Sequence, residues 1–212
     1  MGRSRKGKDG LPKKKRVYVS KDILGTLEAQ YGSRFSIVRE VTIVDPEEAA
    51  LQSAYYYRKY PKYYSKSIEK RGIDVDALPD TTDFDPDSVP TVRRIDALMI
   101  GSMDDYGEYP RTAVEIKTSR ADFKRDTDTK RKAWFAVSHR FVYLVPEGLI
   151  KPEEVPAGCG LWYWVQSPTG NHINIVKRAE VRHNVDDLSQ GMIAYLMGRV
   201  FRAEGKLRRA GL

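Results

Sequence analysis

The sequence predicts a mixed α/β domain in which helices flank a central mixed sheet. Short apolar runs with alternating polarity recur along the chain, and stretches with helical periodicity lie between them. With 212 residues, 41% of them hydrophobic, the chain can bury one sizeable core. We therefore expect a single domain over residues 17–212 with an insert at about 45–92, preceded by a disordered basic tail over residues 1–16.

The elements follow in chain order from caps, alternation and periodicity. Ser20 can cap a first helix over residues 21–31, which Gly32 ends. The last helix has apolar residues on one side, so it can cover the sheet or meet a second copy of the chain, and it permits a homodimer. The other predicted elements are strands over 34–44, 93–101, 112–119, 140–146, 160–166 and 172–181 and helices over 120–137 and 186–208.

Turn-forming residues between the second and third strands predict an antiparallel hairpin centred near residues 106 and 107. Side chains alternate along a strand, so Glu115 and Lys117 share one face. On this register Asp96 faces Lys117, and Glu115 is its diagonal neighbour. Direct cross-strand neighbours lie about 5 Å apart and diagonal ones about 7–8 Å, distances that one bound cation with its ligands can bridge.

These three residues point to metal chemistry at a phosphate. Two carboxylates repel each other by roughly 4 kcal/mol at about 4 Å with an effective dielectric constant near 20. Lys117 offsets only one of them, and a hard cation such as Mg²⁺ would neutralise the remainder. Both acids also lie within apolar runs, where a carboxylate without a partner is costly.

Asp96 followed by Glu115-Ile116-Lys117 resembles the Asp…Glu-x-Lys signature of the PD-(D/E)XK nuclease superfamily. The run Glu-Ile-Lys-Thr-Ser-Arg-Ala-Asp-Phe that begins at Glu115 is the most specific part and resembles the MmcB-like DNA-repair and phage nuclease branch. Ile95 stands where the family name has proline. The resemblance covers roughly residues 20–44 and 92–165, and the insert has no counterpart in it.

The resemblance implies a restriction-endonuclease-like core, with the order helix, three strands, helix, strand, and a role for each matched residue. Asp96 and Glu115 would bind Mg²⁺ or Mn²⁺ with help from the backbone carbonyl of Ile116. Lys117 would orient or activate the attacking water and steady the charge on the phosphate. Asp96, Glu115 and Lys117 are thus the expected catalytic residues for hydrolysis of a phosphodiester bond.

Many members of this superfamily use a further acid from the first helix or the first strand. Glu40 fits the strand position, and Glu28 lies on the helix. We favour Glu40 as the additional metal ligand, and Glu28 remains the alternative.

The expected partner is DNA. Between residues 117 and 140 eight basic residues stand against three acidic ones, so this helical stretch can track a phosphate backbone, and we assign DNA contacts to Arg120 and Lys124. In some relatives a Gln-x-x-x-Tyr pair on the same helix contacts DNA, and Lys130 and Trp134 have that spacing. The basic tail adds salt-dependent affinity for phosphate.

The insert has a composition of its own. Six tyrosines between residues 55 and 64 are interspersed with cations, a pattern suited either to stacking on unpaired bases or to packing on the sheet. Six aspartates and no basic residue follow between residues 73 and 90, which predicts an acidic loop.

Several classes of function are disfavoured. No apolar run reaches the length of a membrane span and the first sixteen residues are polar, so we expect a cytoplasmic protein with no membrane contact. The single cysteine, Cys159, excludes an internal disulfide and a cysteine zinc cluster. His139, His172 and His183 lack the spacing of metal ligands.

These observations predict a Mg²⁺-dependent DNA nuclease acting in DNA repair, recombination or phage DNA metabolism. Two alternatives stay open. One is a DNA-binding repair or recombination accessory with the same fold that does not cut, and the other is a dimeric endonuclease acting on branched DNA.

Overall fold

The computed structural model describes residues 20–88, 91–103, 109–188 and 191–199. It is a mixed α/β structure, as predicted, with one six-stranded sheet between helices. The basic tail predicted over residues 1–16 lies outside the described residues. Among the described residues, every helix is too short or too polar to cross a membrane.

The six strands lie in the sheet in the order of the sequence. The pairs β1–β2, β2–β3 and β5–β6 are antiparallel, whereas β3–β4 and β4–β5 are parallel. The sheet is therefore mixed, with an antiparallel meander at one side. The strands are β1 (Phe35–Val44), β2 (Val92–Gly101), β3 (Arg111–Ile116), β4 (Arg140–Pro146), β5 (Cys159–Val165) and β6 (His172–Lys177).

Helix α1 (Ser20–Tyr31) covers one face of the sheet. Its buried side chains are Ile23, Leu27 and Tyr31, which recur every four residues and therefore form one apolar stripe. They pack in a cluster with side chains of the central strands such as Met99. The prediction for this helix is confirmed within one residue.

The connection from β3 to β4 crosses the other face and contains two helices. The sequence predicted one helix over residues 120–137, and this prediction is wrong, because α4 (Arg120–Lys124) and α5 (Asp128–Val137) are separate. Each has its own N-cap: the Ser119 hydroxyl accepts from Asp122 N–H, and the Thr127 hydroxyl accepts from Lys130 N–H. The break places Asp126 between the two helices.

Trp134 of α5 is the largest fully buried side chain. Around it lies an aromatic group in which the ring of Tyr143 meets Phe123 at 5.0 Å and Phe141 at 5.3 Å, both edge to face. Such pairs add to the hydrophobic gain of burial. This core fixes α4 and α5 on β4.

The insert forms α2 (Pro46–Lys59) and α3 (Pro61–Arg71). Asp45 caps α2 by accepting from Glu47 N–H and forms a buried ion pair with Arg93 of β2 at 3.0 Å. The two ends of the insert are thereby held together at the start of β2.

Other element ends differ from the prediction. The third strand ends at Ile116 rather than residue 119, and the sixth ends at Lys177 rather than residue 181. Of the helix predicted over residues 186–208, residues 186–188 are not helical, residues 191–199 are, and residues 200–208 lie outside the described residues.

Replacing Leu98, which is 1% exposed in the core, tests the packing. We expect Leu98→Ala to lower the free energy of unfolding by about 2–5 kcal/mol, because it removes buried methyl groups and leaves a cavity. Val181→Ala, at a side chain that is 43% exposed, is the control and should change it by less than about 0.5 kcal/mol. Urea unfolding followed by circular dichroism measures both, and equal losses would contradict the assigned core.

Candidate functional site

Strands β2 and β3 are paired from Ile100 and Arg111 to Ala97 and Val114. One residue further on this register, Asp96 lies opposite Glu115. The prediction that Asp96 faces Lys117 is therefore wrong. The centre of the hairpin lies one residue earlier than predicted, which moves the residue opposite Asp96 from Lys117 to Glu115. Residues 104–108 of the hairpin lie outside the described residues. Both registers keep every side chain on the same face, so the alternation in the sequence could not distinguish them.

Asp96 directs its carboxylate toward β3. Its Oδ2 accepts a hydrogen bond from the backbone N–H of Ile116 at 2.8 Å. In a regular antiparallel ladder this N–H would donate to a backbone carbonyl of the neighbouring strand. Here the Asp96 carboxylate replaces that carbonyl as the acceptor. The contact fixes the side chain of Asp96 beside Glu115.

Glu115 is 4% exposed, and its two carboxylate oxygens differ. Oε1 lies 2.9 Å from Nζ of Lys117 and 2.5 Å from Nζ of Lys130. Oε2 is buried, and no described residue donates a hydrogen bond to it. A buried acceptor without a partner is costly, so this oxygen is the atom at which a ligand would bring the largest gain.

The pKa shifts have a common cause. Burial raises the pKa of the Asp96 carboxyl, opposed by the hydrogen bond from Ile116 N–H. Burial likewise raises the pKa of Glu115, opposed by Lys130 and reinforced by the charge of Asp96. Both carboxyls are therefore poised to take up a positive charge, either a proton or a cation.

For the pKa of Lys117, nearby charges outweigh burial. Burial alone would lower the pKa of its ammonium group, but the attraction of Glu115, Asp126 and Asp122 raises it overall. Lys117 is 6% exposed, so its charge is held in place among these acids. It is accordingly a fixed cation rather than a base.

Asp126 is a site residue that sequence reasoning missed. Its side chain is 3% exposed and lies 3.4 Å from Nζ of Lys117 and 3.4 Å from the Arg131 guanidinium, and it accepts a hydrogen bond from the Tyr143 hydroxyl. In the helix predicted over residues 120–137, Asp126 counted only as one of the three acidic residues that stand against eight basic ones between residues 117 and 140. The signal that could have found it is Thr127, a helix cap that places Asp126 at a break rather than on a helix.

Two cavities meet at Asp96. The first has a volume of about 250 Å³ and also holds Glu115 and Lys130 in its wall, with Arg93 and Arg94 at the side. The second has a volume of about 330 Å³, and the residues in its wall include Asp96, Ile116, Glu40 and three cations, Lys21, Arg39 and Arg199. Asp96 is therefore reachable from both faces of the gap between the strands.

The two candidates for an additional acid have different surroundings. Glu28 is held by Arg39, whose Nε lies 2.5 Å from its Oε1. Glu40 is exposed and lies opposite Asp96 on the register of β1 and β2. Its φ of 47° is in the left-handed region, which costs a residue with a side chain roughly 1–2 kcal/mol. The Glu40 carboxylate is therefore available to the site, whereas the Glu28 carboxylate is already paired with Arg39.

The four predicted DNA contacts are not brought together. Arg120 pairs with Glu154 and donates to the Leu149 carbonyl at 2.9 Å. Lys124 is exposed on α4. Lys130 lies inside the site on Glu115, and the assignment of Trp134 is wrong, because its ring is fully buried in the core and cannot reach a base.

The described residues contain no cluster of three His, Cys, Asp or Glu side chains arranged to hold a metal. Asp96 and Glu115 nevertheless fit a hard cation, because they offer carboxylate oxygens from neighbouring strands and the buried Oε2 of Glu115 lacks a donor. The pair could hold a metal only together with backbone, water or substrate oxygens.

No protein-family model and no curated protein matches the chain. Among solved structures, a protein of unknown function from Silicibacter pomeroyi is similar at 24% sequence identity, over 54% of this chain and 68% of that chain. The TM-score of this match is 0.36.

Asp96→Asn tests the cost of burying the Asp96 carboxylate. The folded chain raises the pKa of this group above its ordinary value of 3.8, so the stability it contributes is fully present below that value and is lost as the pH rises through the raised pKa. We expect Asp96→Asn, which can still accept from Ile116 N–H, to raise the free energy of unfolding at pH 7 by about 0.5–2 kcal/mol.

The gain should shrink toward zero as the pH falls to about 4. Urea titrations at several pH values measure it, with Glu147→Gln at an exposed carboxylate as the control. A variant that is less stable than the wild type at pH 7 would show that the ionised form is stabilised.

Proposed function

We propose that the chain is a metal-dependent nuclease that hydrolyses phosphodiester bonds in DNA, related to the PD-(D/E)XK superfamily that the sequence resembles. The order of elements supports this proposal. Helix α1, the antiparallel strands β1 to β3, the α4–α5 connection and the parallel strand β4 follow the order of a restriction-endonuclease-like core.

One observation carries the proposal: Asp96 and Glu115 meet at the point where β2 and β3 part, and a buried oxygen of Glu115 has no described partner there. Buried acids with raised pKa values cluster at functional sites, so this pair is a candidate for chemistry. Both also line a cavity that opens beside cationic side chains, as a phosphate substrate requires.

Asp96, Glu115 and the carbonyl of Ile116 would hold Mg²⁺ or Mn²⁺ together with water or substrate oxygens. Glu40, which lines the second cavity with Asp96, is the proposed additional acid and would reach the ion only through a change in its side-chain position. When bound, the ion would polarise the phosphate and lower the pKa of a bound water. The role of Lys117 follows from its own surroundings. Since its ammonium is kept charged by Glu115 and Asp126, it would steady the negative charge that develops on the phosphate.

The substrate would be DNA in a cytoplasmic setting, in repair, recombination or phage DNA metabolism. Arg93 and Arg94 in the wall of the first cavity and Lys21 and Arg199 in the wall of the second are cations that a DNA backbone could meet. Contacts of this kind position a nuclease without reading sequence.

A second function is favoured by the same residues. Lys117 and Lys130 both pair with Oε1 of Glu115, so ammonium groups already neutralise the charge that a metal would neutralise. This arrangement suits a DNA-binding accessory that keeps the fold and does not cut.

Cleavage assays test the nuclease directly. With Mg²⁺, the wild type should cut labelled DNA. Asp96→Asn, Glu115→Gln and Lys117→Ala should each reduce the rate about 100-fold or more, because the first two remove a metal ligand and the third removes the cation that steadies the phosphate charge. Single-stranded, duplex and branched substrates are compared with and without Mg²⁺. Glu147→Gln, a carboxylate outside the site, should cut like the wild type.

Cleavage that persists in the triple variant would contradict this assignment. Tight binding of DNA by a wild type that never cuts would favour the accessory.

Binding of Mn²⁺ tests the proposed metal site without any substrate. Lys130→Ala should tighten Mn²⁺ binding on the order of tenfold, the scale of one charge-assisted hydrogen bond, because it removes a competing cation from Glu115. Asp96→Asn should weaken it. Calorimetry measures both, with Lys132→Ala at an exposed lysine of α5 as the matched control. If neither variant changes Mn²⁺ binding, the ion does not bind at Glu115.

A further inference from the structure

Helix α3 of the insert carries three exposed lysines, Lys62, Lys66 and Lys70, spaced four residues apart. At about 100° per residue this spacing places them on one face of the helix, and Tyr63 falls on the same face within an arc of about 100°. Glu69 is the single acidic residue of α3. It lies at the edge of the same face, about 20° from the direction of Lys62, so the face combines three cations, one carboxylate and one aromatic ring.

The ring of Tyr63 is exposed to solvent and contacts a neighbouring ring that supports it. Its side chain is 82% exposed, the largest value among the exposed hydrophobic residues described. It meets the ring of Tyr64 edge to face at 4.9 Å, and Tyr64 in turn packs against Tyr57 of α2 at 5.3 Å. Tyr57 and Tyr64 thus support the ring of Tyr63, most of which is left to solvent.

The pattern continues at the start of α3. Tyr60 is 46% exposed and stacks on Tyr56 at 6.2 Å with an angle of 18° between the rings. Nζ of Lys59 lies 5.6 Å from the ring centre of Tyr60 and donates to the Tyr55 hydroxyl at 2.6 Å. A second ring with a cation beside it therefore extends the surface.

The acidic loop after α3 is tied back to α2. Arg58 donates to the backbone carbonyls of Leu78 and Pro79, and the ring of Phe84 packs on Tyr55 at 5.4 Å. Carboxylates within the loop accept hydrogen bonds from backbone N–H groups two residues further on, at Asp74, Asp80 and Asp85. These contacts hold the loop by its own backbone and by α2.

We propose that α3 binds single-stranded nucleic acid, with an unpaired base stacked on Tyr63 and the phosphates on Lys62, Lys66 and Lys70. An aromatic face beside a cationic track is the combination that binds single strands without regard to sequence. A duplex offers phosphates but keeps the faces of its bases stacked. A membrane surface would require a wide apolar face, whereas on α3 Tyr64 and Ile68 are partly buried.

This inference does not depend on the nuclease, because none of its residues contacts Asp96 or Glu115. The test is fluorescence anisotropy of the full chain with labelled oligo(dT), oligo(U), a duplex and an abasic strand of equal length. A chelator is present, so that no cleavage can occur. Tyr63→Ala should weaken binding of oligo(dT) or oligo(U) about five- to hundredfold and leave the abasic strand unchanged. Tyr63→Phe, which keeps the ring, should bind like the wild type.

The double variant Lys62→Gln/Lys66→Gln should weaken binding of all single strands and reduce the salt slope by about 1.4. The matched controls are Tyr109→Ala, at a tyrosine that is 56% exposed outside the insert, and Lys151→Gln/Arg178→Gln, which removes the same charge from exposed positions. Equal losses in the tyrosine variant and its control would overturn the proposal, and so would a loss confined to the duplex or binding of anionic vesicles instead of single strands.

Discussion

The hydrogen bond from Ile116 N–H to the Asp96 carboxylate determines the form of the site. Up to Ala97 and Val114 the strands β2 and β3 are paired through their backbones, and at Asp96 a side chain takes over one of these contacts. The exchange opens space between the strands without leaving the N–H unpaired, which would be costly in a buried sheet. On the other side of β2, Glu40 adopts a left-handed backbone at the register position of Asp96, so both neighbours of β2 depart from regular pairing at the same place.

The charged side chains beside this opening form pairs of opposite sign. Buried ions are tolerated only when each has a partner, since the cost of removing them from water is several kcal/mol per ion. Lys117 lies between Glu115 and Asp126, while Lys130 and Arg131 flank the two carboxylates from α5. Asp126 is in turn fixed by the Tyr143 hydroxyl at the edge of the aromatic core. The core therefore holds the charge network in place, and the network holds Lys117. Within it, the Oε2 atom of Glu115 is the carboxylate oxygen left without a described donor.

Patterns with a physical period were readable from the sequence. The apolar stripe of α1 and the alternation of β1 to β5 gave elements within a few residues of those observed, and Glu115 and Lys117 share a face as a strand requires. Contacts that depend on three dimensions were not readable. A shift of register that preserves alternation moved Glu115 opposite Asp96, and the cap at Thr127 divided a helix that periodicity alone made continuous. Trp134 kept the spacing of a DNA contact but lies in the core, because spacing along a helix does not say which face is buried.

The insert is attached where the site opens. Asp45 N–H donates to the Thr91 carbonyl, Thr91 N–H donates to Glu48, and Asp45 pairs with Arg93, so the chain leaves β1 and enters β2 at one point. Arg93 itself lines the cavity that holds Asp96 and Glu115. Because α2 has 14 residues and a helix rises 1.5 Å per residue, its far end, where α3 begins, lies about 20 Å from this attachment. Such an attachment allows the insert to be added to the sheet without changing the register that brings Asp96 opposite Glu115.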